Sequence, residues 1–196
     1  MAREGYARPG LLVETAWLAA HLDDPSVRIV DADLDPEYRK AHIPGAAGIP
    51  DKPAPAWAPA HYLKGADDPL HVMGPAELAA LAAAIGIGAD TTVVAYDSNR
   101  GLYAARFWWV LIAYGHPAAR VLNGGWRKWV AEGRPVEVTL KTYEKVEGGA
   151  SMALILQEDL ARVGVRMSVR TIEYSDVTRV LVENRDWELF LMRWGT

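Results

Sequence analysis

The sequence predicts an α/β fold: a parallel sheet flanked by helices, followed by a small α/β tail of βαβ type. Up to residue 133, short runs of apolar and β-branched residues alternate with apolar or amphipathic segments of helical length. The clearest buried strands are predicted over 27–30, 91–96 and 119–122. Strands that alternate with helices form a parallel sheet with helices on both faces.

The other elements of this first part lie between those strands. Helices are predicted where apolar residues recur every three or four positions. Pro75 suits a first helical position, because the N–H that it lacks would have no helical partner there. In chain order we predict a strand opening at Val13, a helix over 16–22, a helical turn over 38–41, a proline-rich surface loop over 50–59, and helices over 77–85, 102–114 and 126–132.

The sequence changes character near residue 135. Apolar residues three or four apart predict an amphipathic helix, and Val, Met and Val alternating with Arg, Ser and Arg predict a half-buried strand. The predicted domains are 1–137, a linker over 138–149 and a tail over 150–196. In chain order the elements are a mixed strand-and-loop segment over 135–149, a helix over 151–163, a strand over 165–172, a helix over 176–184 and a strand over 187–194.

Composition and charge restrict the classes of function. The 196 residues carry a net charge of −4, which argues against a nucleic-acid surface, because such surfaces depend on clustered Lys and Arg. No apolar run approaches the roughly 20 residues that span a bilayer, and the first residues lack the layout of a signal peptide. We therefore expect a cytoplasmic protein without a membrane or nucleic-acid partner.

The chain contains no cysteine. This absence excludes disulfides, thiolate metal sites and thiol redox switching in this chain. No acidic or histidine partner stands at a useful metal-ligand spacing from His42. We predict no metal and no cofactor.

A turn motif follows the predicted helical turn. In the run Tyr38-Arg-Lys-Ala-His42-Ile-Pro-Gly-Ala46, Pro44 and Gly45 make a turn that directs the chain into the next strand. We predict that His42 hydrogen-bonds local backbone and holds this turn; contact with a ligand is the alternative. The residues assigned to structural motifs are His42, Pro44, Gly45, Gly124, Gly125 and Trp126.

Three stretches together resemble the rhodanese (sulfurtransferase) family. They are 38–49, the strand-to-loop run 92–97, and Val121-Leu-Asn-Gly-Gly-Trp-Arg-Lys-Trp129. The run 102–109 is similar to the amino-terminal half of two-domain thiosulfate or 3-mercaptopyruvate sulfurtransferases, a half that lacks the catalytic Cys and packs on a catalytic second domain. The resemblance covers about residues 6–137. It implies a rhodanese fold and a catalytic rhodanese domain as the partner.

The loop after the strand 91–96 is the candidate site. The resemblance implies that Asp97 stands where the family places its nucleophilic Cys, so we predict no catalytic residue in this chain. In rhodaneses the loop amides and the next helix N-terminus hold an anionic sulfur donor. We expect the Asp97 carboxylate to fill that cradle and cap the helix. The candidates for this anion loop are Asp97, Ser98, Asn99, Arg100, Gly101 and Leu102.

An alternative is that Asp97 is itself a nucleophile, as in aspartyl-phosphate chemistry. Asp31 and Asp33 also follow a predicted strand, so several carboxylates would meet at one sheet edge. That chemistry needs acidic metal ligands and a lysine within reach, and no lysine stands at an obvious position. The resemblance to rhodaneses favours a capping role for Asp97.

The tail is similar to a second family. The runs 154–169 and 185–195 resemble the carboxyl lobe of peptide-binding proteins of ABC importers, solute-binding protein family 5. Our preferred interpretation is a chimeric or truncated product, in which a non-catalytic rhodanese-like domain precedes a solute-binding-protein-like fragment. One alternative is a regulatory module that pairs with a Cys-bearing rhodanese partner, and another is a peptide-binding fragment.

Overall fold

The computed structural model describes most of the chain, namely residues 8–49, 71–144, 146–183, 187 and 189–192. The loop predicted over 50–59 lies outside these residues. In the described part of the chain, none of the helices is both long and apolar enough to pass through a membrane. The cytoplasmic location stays a prediction.

The chain divides into two compact units, described here separately. The first consists of Met1–Asp35 with Gly45–Glu132, and the second of Pro36–Pro44 with Gly133–Thr196. This division follows contacts in space, so it assigns a short early segment to the unit that contains the tail. The domain boundaries expected from the sequence stay a prediction.

The first unit is built on a five-stranded sheet. All its neighbouring strands are parallel, in the order β1-β5-β4-β2-β3, which confirms the predicted fold class. Through residue 132 the elements are β1 (Leu12–Val13), α1 (Thr15–Ala19), β2 (Val27–Asp31), α2 (Asp35–Lys40), β3 (Ala47–Gly48), α3 (Pro75–Ala84), β4 (Thr92–Tyr96), α4 (Leu102–Ala113), β5 (Ala119–Leu122) and α5 (Gly125–Ala131). Of these, α2 belongs to the second unit from Pro36 onward.

The register of β2 and β4 brings their carboxyl ends level. The two strands pair from Val27 opposite Thr92 to Asp31 opposite Tyr96. The carboxyl ends of parallel strands share one edge of the sheet, where α/β proteins place their ligands. Asp31 and the residue after Tyr96 therefore come together at this edge.

The core of the first unit joins the central strands to α4. Val30, Val93 and Ala95 contribute from the strands, and Phe107 and Val110 contribute from the helix. Each of these side chains is fully or almost fully buried. Burial of a Val or Phe side chain stabilises a fold by about 1.5–3 kcal/mol, so this contact fixes α4 against the sheet.

Several helix boundaries differ from the prediction; α3, for example, begins at Pro75 rather than at residue 77. α1 ends at Ala19 rather than at residue 22, because the N–H of His21 donates to the carbonyl of Leu18 at 3.0 Å and so tightens the last turn. α5 begins one residue earlier than predicted, at Gly125.

The second unit contains a smaller parallel sheet with the strand order β7-β6-β8. Its elements are β6 (Val136–Tyr143), α6 (Gly149–Arg162), β7 (Val165–Ile172) and β8 (Leu189–Leu191). The βαβ arrangement predicted for the tail is present. The sequence predicted a mixture of strand and loop over 135–149. The first half of this segment instead forms β6, the regular central strand of the second sheet. In place of the helix predicted over 176–184 the chain forms a 3₁₀ turn and a π turn, where β-branched Val177, Thr178, Val180 and Val182 crowd an α-helical backbone.

His42 extends the second unit's sheet by one antiparallel bridge. Its N–H donates to the carbonyl of Glu137 at 3.1 Å, and the N–H of Glu137 donates back at 2.8 Å. The imidazole stacks on the Tyr38 ring at 4.3 Å, and Nδ1 lies 3.1 Å from the Tyr38 carbonyl. A carbonyl can only accept, so Nδ1 carries the proton. The expected hydrogen bond to local backbone is present, and burial lowers the pKa of His42.

One buried cluster of the second unit joins α6 to its sheet. Leu140, Ala153 and Met167 are the buried members of this cluster, and Val138 and Leu160 pack against them. α6 buries one narrow face and leaves most of its apolar side chains at least partly exposed to solvent. Each buried member of so small a cluster therefore contributes strongly to the packing of α6 on the sheet.

The substitution Leu140→Ala tests this dependence. Leu140 is 3% exposed, and truncation of a buried Leu costs about 2–5 kcal/mol. We expect amide hydrogen exchange in β6 and β7 to accelerate strongly, while β4 of the first unit keeps its protection. Val169→Ala is the control, since Val169 is 38% exposed in the same sheet. Equal effects of the two substitutions would contradict the assignment of Leu140 to this core.

Candidate functional site

The candidate site lies at the carboxyl edge of the first unit's sheet, where the loop from Asp97 to Gly101 follows β4. The side chain of Asp97 points inward and is 1% exposed. A charged group so deeply buried is stable only when hydrogen bonds replace its lost hydration. The contacts of its two oxygens therefore determine what the loop can do.

Backbone amides surround the Asp97 carboxylate. Oδ1 accepts the N–H of Gly101 at 2.7 Å, and Oδ2 accepts the N–H groups of Tyr103 at 2.8 Å and Ala104 at 2.9 Å. These donors belong to the last loop residue and the first turn of α4, whose amides have no partner within the helix. The carboxylate also complements the positive end of the helix dipole. Asp97 thus caps α4 with both oxygens.

Gly125 allows α5 to approach the Asp97 backbone closely. The carbonyl of Asp97 accepts the N–H of Trp126 at 3.0 Å. A Cβ atom on Gly125 would lie only 2.6 Å from that carbonyl oxygen, and the residue has a φ of +54°. Only glycine meets both requirements without strain. The Gly124-Gly125 pair, assigned a structural role from the sequence, therefore holds the second side of the Asp97 loop.

Two more carboxylates meet Asp97 at this edge. Asp31 accepts the N–H of Asp33 at 2.9 Å, and Asp33 accepts the N–H of Ser98 at 2.7 Å. All three carboxylates are almost completely buried. Burial, with smaller contributions from the charges of Asp33 and Asp97, raises the pKa of Asp31 to about 7, against hydrogen bonds from Tyr96 and Asp33 that favour the ionised form. The described residues contain no group of three potential ligands placed to hold a metal ion.

A cleft of about 400 Å³ opens beside the loop, between it and the ends of β1 and β5. Two arginines, Arg100 and Arg127, line it and are both exposed. The Nε atom of Arg127 donates to the carbonyl of Ser98 at 3.1 Å. Arg100 has a φ of +61°, a left-handed conformation that costs a residue with a Cβ about 1 kcal/mol. The lining of the cleft therefore combines two exposed basic side chains with the buried Asp97.

The structure brings most of the predicted site residues together. The cleft is lined by Asp97, Ser98, Arg100, Gly101, Gly124 and Gly125, whereas Asn99 and Trp126 are not among its lining residues. Leu102 begins α4 and is 63% exposed. His42 and Pro44 belong to the second unit, whereas Gly45 belongs to the first.

The sequence reasoning did not identify Tyr96 and Arg127 as members of this site. Tyr96 is fully buried, and its sequence context predicts only a buried strand residue. Its hydrogen bond to Asp31 depends on the register of β2 and β4, which the sequence does not reveal. Arg127 lies in the first turn of α5, two residues after the Gly124-Gly125 pair. A basic residue at this position, next to the predicted anion loop, was the sequence signal that could have identified it.

Comparison with known proteins places the first unit in a family. The rhodanese-like domain profile matches residues 14–132. The sulfur carrier protein TtuD of Thermus thermophilus is 39% identical over 140 residues, covering 71% of this chain and 46% of that protein. The thiosulfate sulfurtransferase of Corynebacterium glutamicum is 36% identical over 146 residues, covering 72% of this chain and 44% of that protein. The chain thus spans less than half the length of these relatives.

Solved structures agree on the fold. YnjE is 27% identical with a TM-score of 0.51, covering 67% of this chain and 32% of that chain. A complex of EanB with ergothioneine has a TM-score of 0.55 at 20% identity, covering 64% of this chain and 31% of that chain, and shows the fold alone. The resemblance of the tail to solute-binding proteins stays a prediction. The chain belongs to the family of rhodanese-like domains.

Proposed function

We propose that the first unit is a catalytically silent rhodanese-like domain. Rhodanese chemistry, by family resemblance, holds the transferred sulfur on a cysteine thiolate, and this chain has no cysteine. By the same resemblance, Asp97 occupies the nucleophile position. The domain keeps the framework of a sulfurtransferase without the atom that carries the sulfur.

The amides around Asp97 carry this proposal. Three backbone N–H groups of the loop and of α4 already donate to its carboxylate at 2.7–2.9 Å. An anionic sulfur donor would compete for the same donors against a covalently attached carboxylate at very high effective concentration. Asp97 therefore acts as a built-in anion that stabilises the loop and replaces a ligand.

The same contacts argue against Asp97 as a nucleophile. Both carboxylate oxygens are hydrogen-bonded to backbone, and the side chain is almost fully buried. A carboxylate stabilised in this way is a weak nucleophile, since attack on a substrate would break those hydrogen bonds. Aspartyl-phosphate chemistry receives no support from this geometry.

A sulfurtransferase assay tests the silent-domain proposal. With thiosulfate and cyanide, we expect the purified chain to form thiocyanate no faster than a protein-free blank, because no thiolate is present to take up the sulfur. A thiosulfate sulfurtransferase of the family, assayed in parallel, shows that the conditions support turnover. Thiocyanate formation above the blank, proportional to the concentration of this chain, would refute the proposal.

Substitution of Asp97 tests its role as a built-in anion. Asp97→Ala leaves buried N–H groups without an acceptor, at about 1–3 kcal/mol for each group. We expect its free energy of unfolding to fall by about 3 kcal/mol or more, and that of Asp97→Asn, which keeps one amide oxygen, to fall by less. Urea denaturation followed at the first unit measures this. Asp90→Asn, at an exposed position, is the control. A loss of less than about 1 kcal/mol for Asp97→Ala would show that the cap is dispensable.

A second candidate function is a regulatory module that pairs with a Cys-bearing rhodanese domain. The observation that favours it is α4, which buries Phe107 and Val110 on one face while Leu102 and Trp109 are 63% and 54% exposed on the other. This outer face also carries Arg106, but its large exposed side chains are mostly apolar, and an exposed apolar face fits a protein partner. A chain that spans less than half of its relatives' length is compatible with such a partner.

The substitution Trp109→Glu tests this pairing. We expect titration calorimetry to show saturable binding of this chain to a Cys-bearing domain of a related thiosulfate sulfurtransferase. Trp109→Glu should weaken that binding about tenfold or more, because exposed Trp residues dominate interface energies. Trp17→Glu, on α1 and also partly exposed, should bind like the unsubstituted chain. Equal affinities for the two variants would contradict a docking role of α4.

A further inference from the structure

β7 forms one edge of the second unit's sheet. Among the described strands it pairs only with β6. The N–H of Val136 donates to the carbonyl of Gly164 at 3.1 Å, so Gly164 and every second residue after it direct their polar backbone groups toward β6. The residues between them direct their N–H and C=O groups outward. These outward-facing residues are Val165, Met167, Val169 and Thr171.

A side chain of α6 shows the same orientation. The Nε2 atom of Gln157 donates to the carbonyl of Met167 at 2.7 Å. A carbonyl directed at β6 would be occupied by the ladder between the strands, whereas a carbonyl on the outer side is within reach of a helix side chain. No other strand of the described chain lies against Val169 and Thr171 on this side. An edge of this kind can accept a further strand.

A cavity of about 370 Å³ adjoins the same end of β7, beneath α6. Val169 and Thr171 line it from the strand, and Ala153 and Leu154 line it from the helix. Leu154 is 61% exposed and Val169 is 38% exposed, so apolar groups of the lining reach the surface. A strand added to β7 would direct every second side chain to this face of the sheet. The cavity is large enough to hold an aliphatic side chain of such a strand.

The opposite face of β7 is basic at this end. Arg170 is exposed there, and its neighbour on β6 is Lys141. Like charges on neighbouring strands repel, and a carboxylate beside Arg170 would relieve that repulsion. A second copy of β7 would instead bring its own arginines to this edge, and charged side chains on edge strands commonly prevent such self-pairing. The charges therefore favour an acidic partner over a second copy of the chain.

We propose that the edge of β7 is a docking site for an extended acidic segment of a partner protein, which adds to the sheet as a further strand. Its main chain pairs with Val169 and Thr171, its apolar side chains enter the cavity beneath α6, and its acidic side chains lie beside Arg170. In strand addition of this kind, main-chain hydrogen bonds supply affinity and pockets for alternate side chains supply specificity. The site belongs to the second unit and does not depend on the Asp97 loop or on the pairing proposed for α4.

Amide NMR and titration calorimetry of the whole chain test this docking site. The probe is an end-blocked peptide of about eight residues in which Glu and Val alternate, because β7 has eight residues. We expect saturable binding that weakens with added salt. Amide protection should rise at Val169 and Thr171 but not at Ser168 and Arg170, whose N–H groups already face β6. A peptide with Lys in place of Glu should bind at least about tenfold more weakly.

Three variants locate the bound peptide. Leu154→Glu places a carboxylate at the cavity, and Arg170→Glu reverses the charge that meets the acidic side chains of the peptide. Each should weaken binding about tenfold or more. Ile155→Glu is the matched control and should bind like the unsubstituted chain, since Ile155 is 59% exposed on the same helix and does not line the cavity.

Several outcomes would overturn the docking site. They are a lack of saturable binding, equal binding of the Lys peptide, protection that does not alternate along β7, and equal effects of Leu154→Glu and Ile155→Glu. A further one is protection of Val169 and Thr171 that rises with the concentration of the chain alone, because a second copy would then occupy the edge.

Discussion

The capping of α4 by the Asp97 carboxylate is the interaction on which the rest of the site depends. A helix begins with N–H groups that have no partner within the helix, and here three amides at the start of α4 donate to one buried side chain. With its side chain held in this way, Asp97 directs its backbone carbonyl toward α5. There the carbonyl accepts a hydrogen bond from the N–H of Trp126. One residue therefore links β4, α4 and α5, and the course of the intervening loop follows from it.

Under the proposed function, this arrangement exchanges ligand binding for stability. A cradle of amides at the end of a parallel sheet attracts anions, and a side-chain carboxylate inside it is always present. Beside it, Asp31 and Asp33 share the same buried edge, and burial together with the neighbouring charges raises the pKa of Asp31 to about 7. The loop is thus stabilised on the α4 side and electrostatically crowded on the β2 side.

The two units differ in how thoroughly they bury their apolar surface. The first has a core of strand and helix residues that fixes α4 on one face and leaves Trp109 exposed on the other. In the second, a cluster with three buried members packs against a helix whose apolar side chains are largely exposed. Exposed apolar faces of this kind are typical of protein interaction surfaces, and on the first unit such a face is the observation behind the proposed pairing with a partner domain.

The sequence by itself determined the fold class and most of the elements, because alternating strand and helix patterns are local signals; the predicted strands 119–122 and 165–172 match β5 and β7. It also showed that no thiolate is available, and its resemblance to rhodaneses predicted Asp97 as the residue that fills the amide cradle and caps the helix. Only the tertiary structure decided that Asp31 lies opposite Tyr96, that Gly125 must lack a Cβ to approach Asp97, and that His42 pairs with Glu137. These contacts join residues far apart in the chain, and strand register and packing, which no local pattern encodes, bring them together.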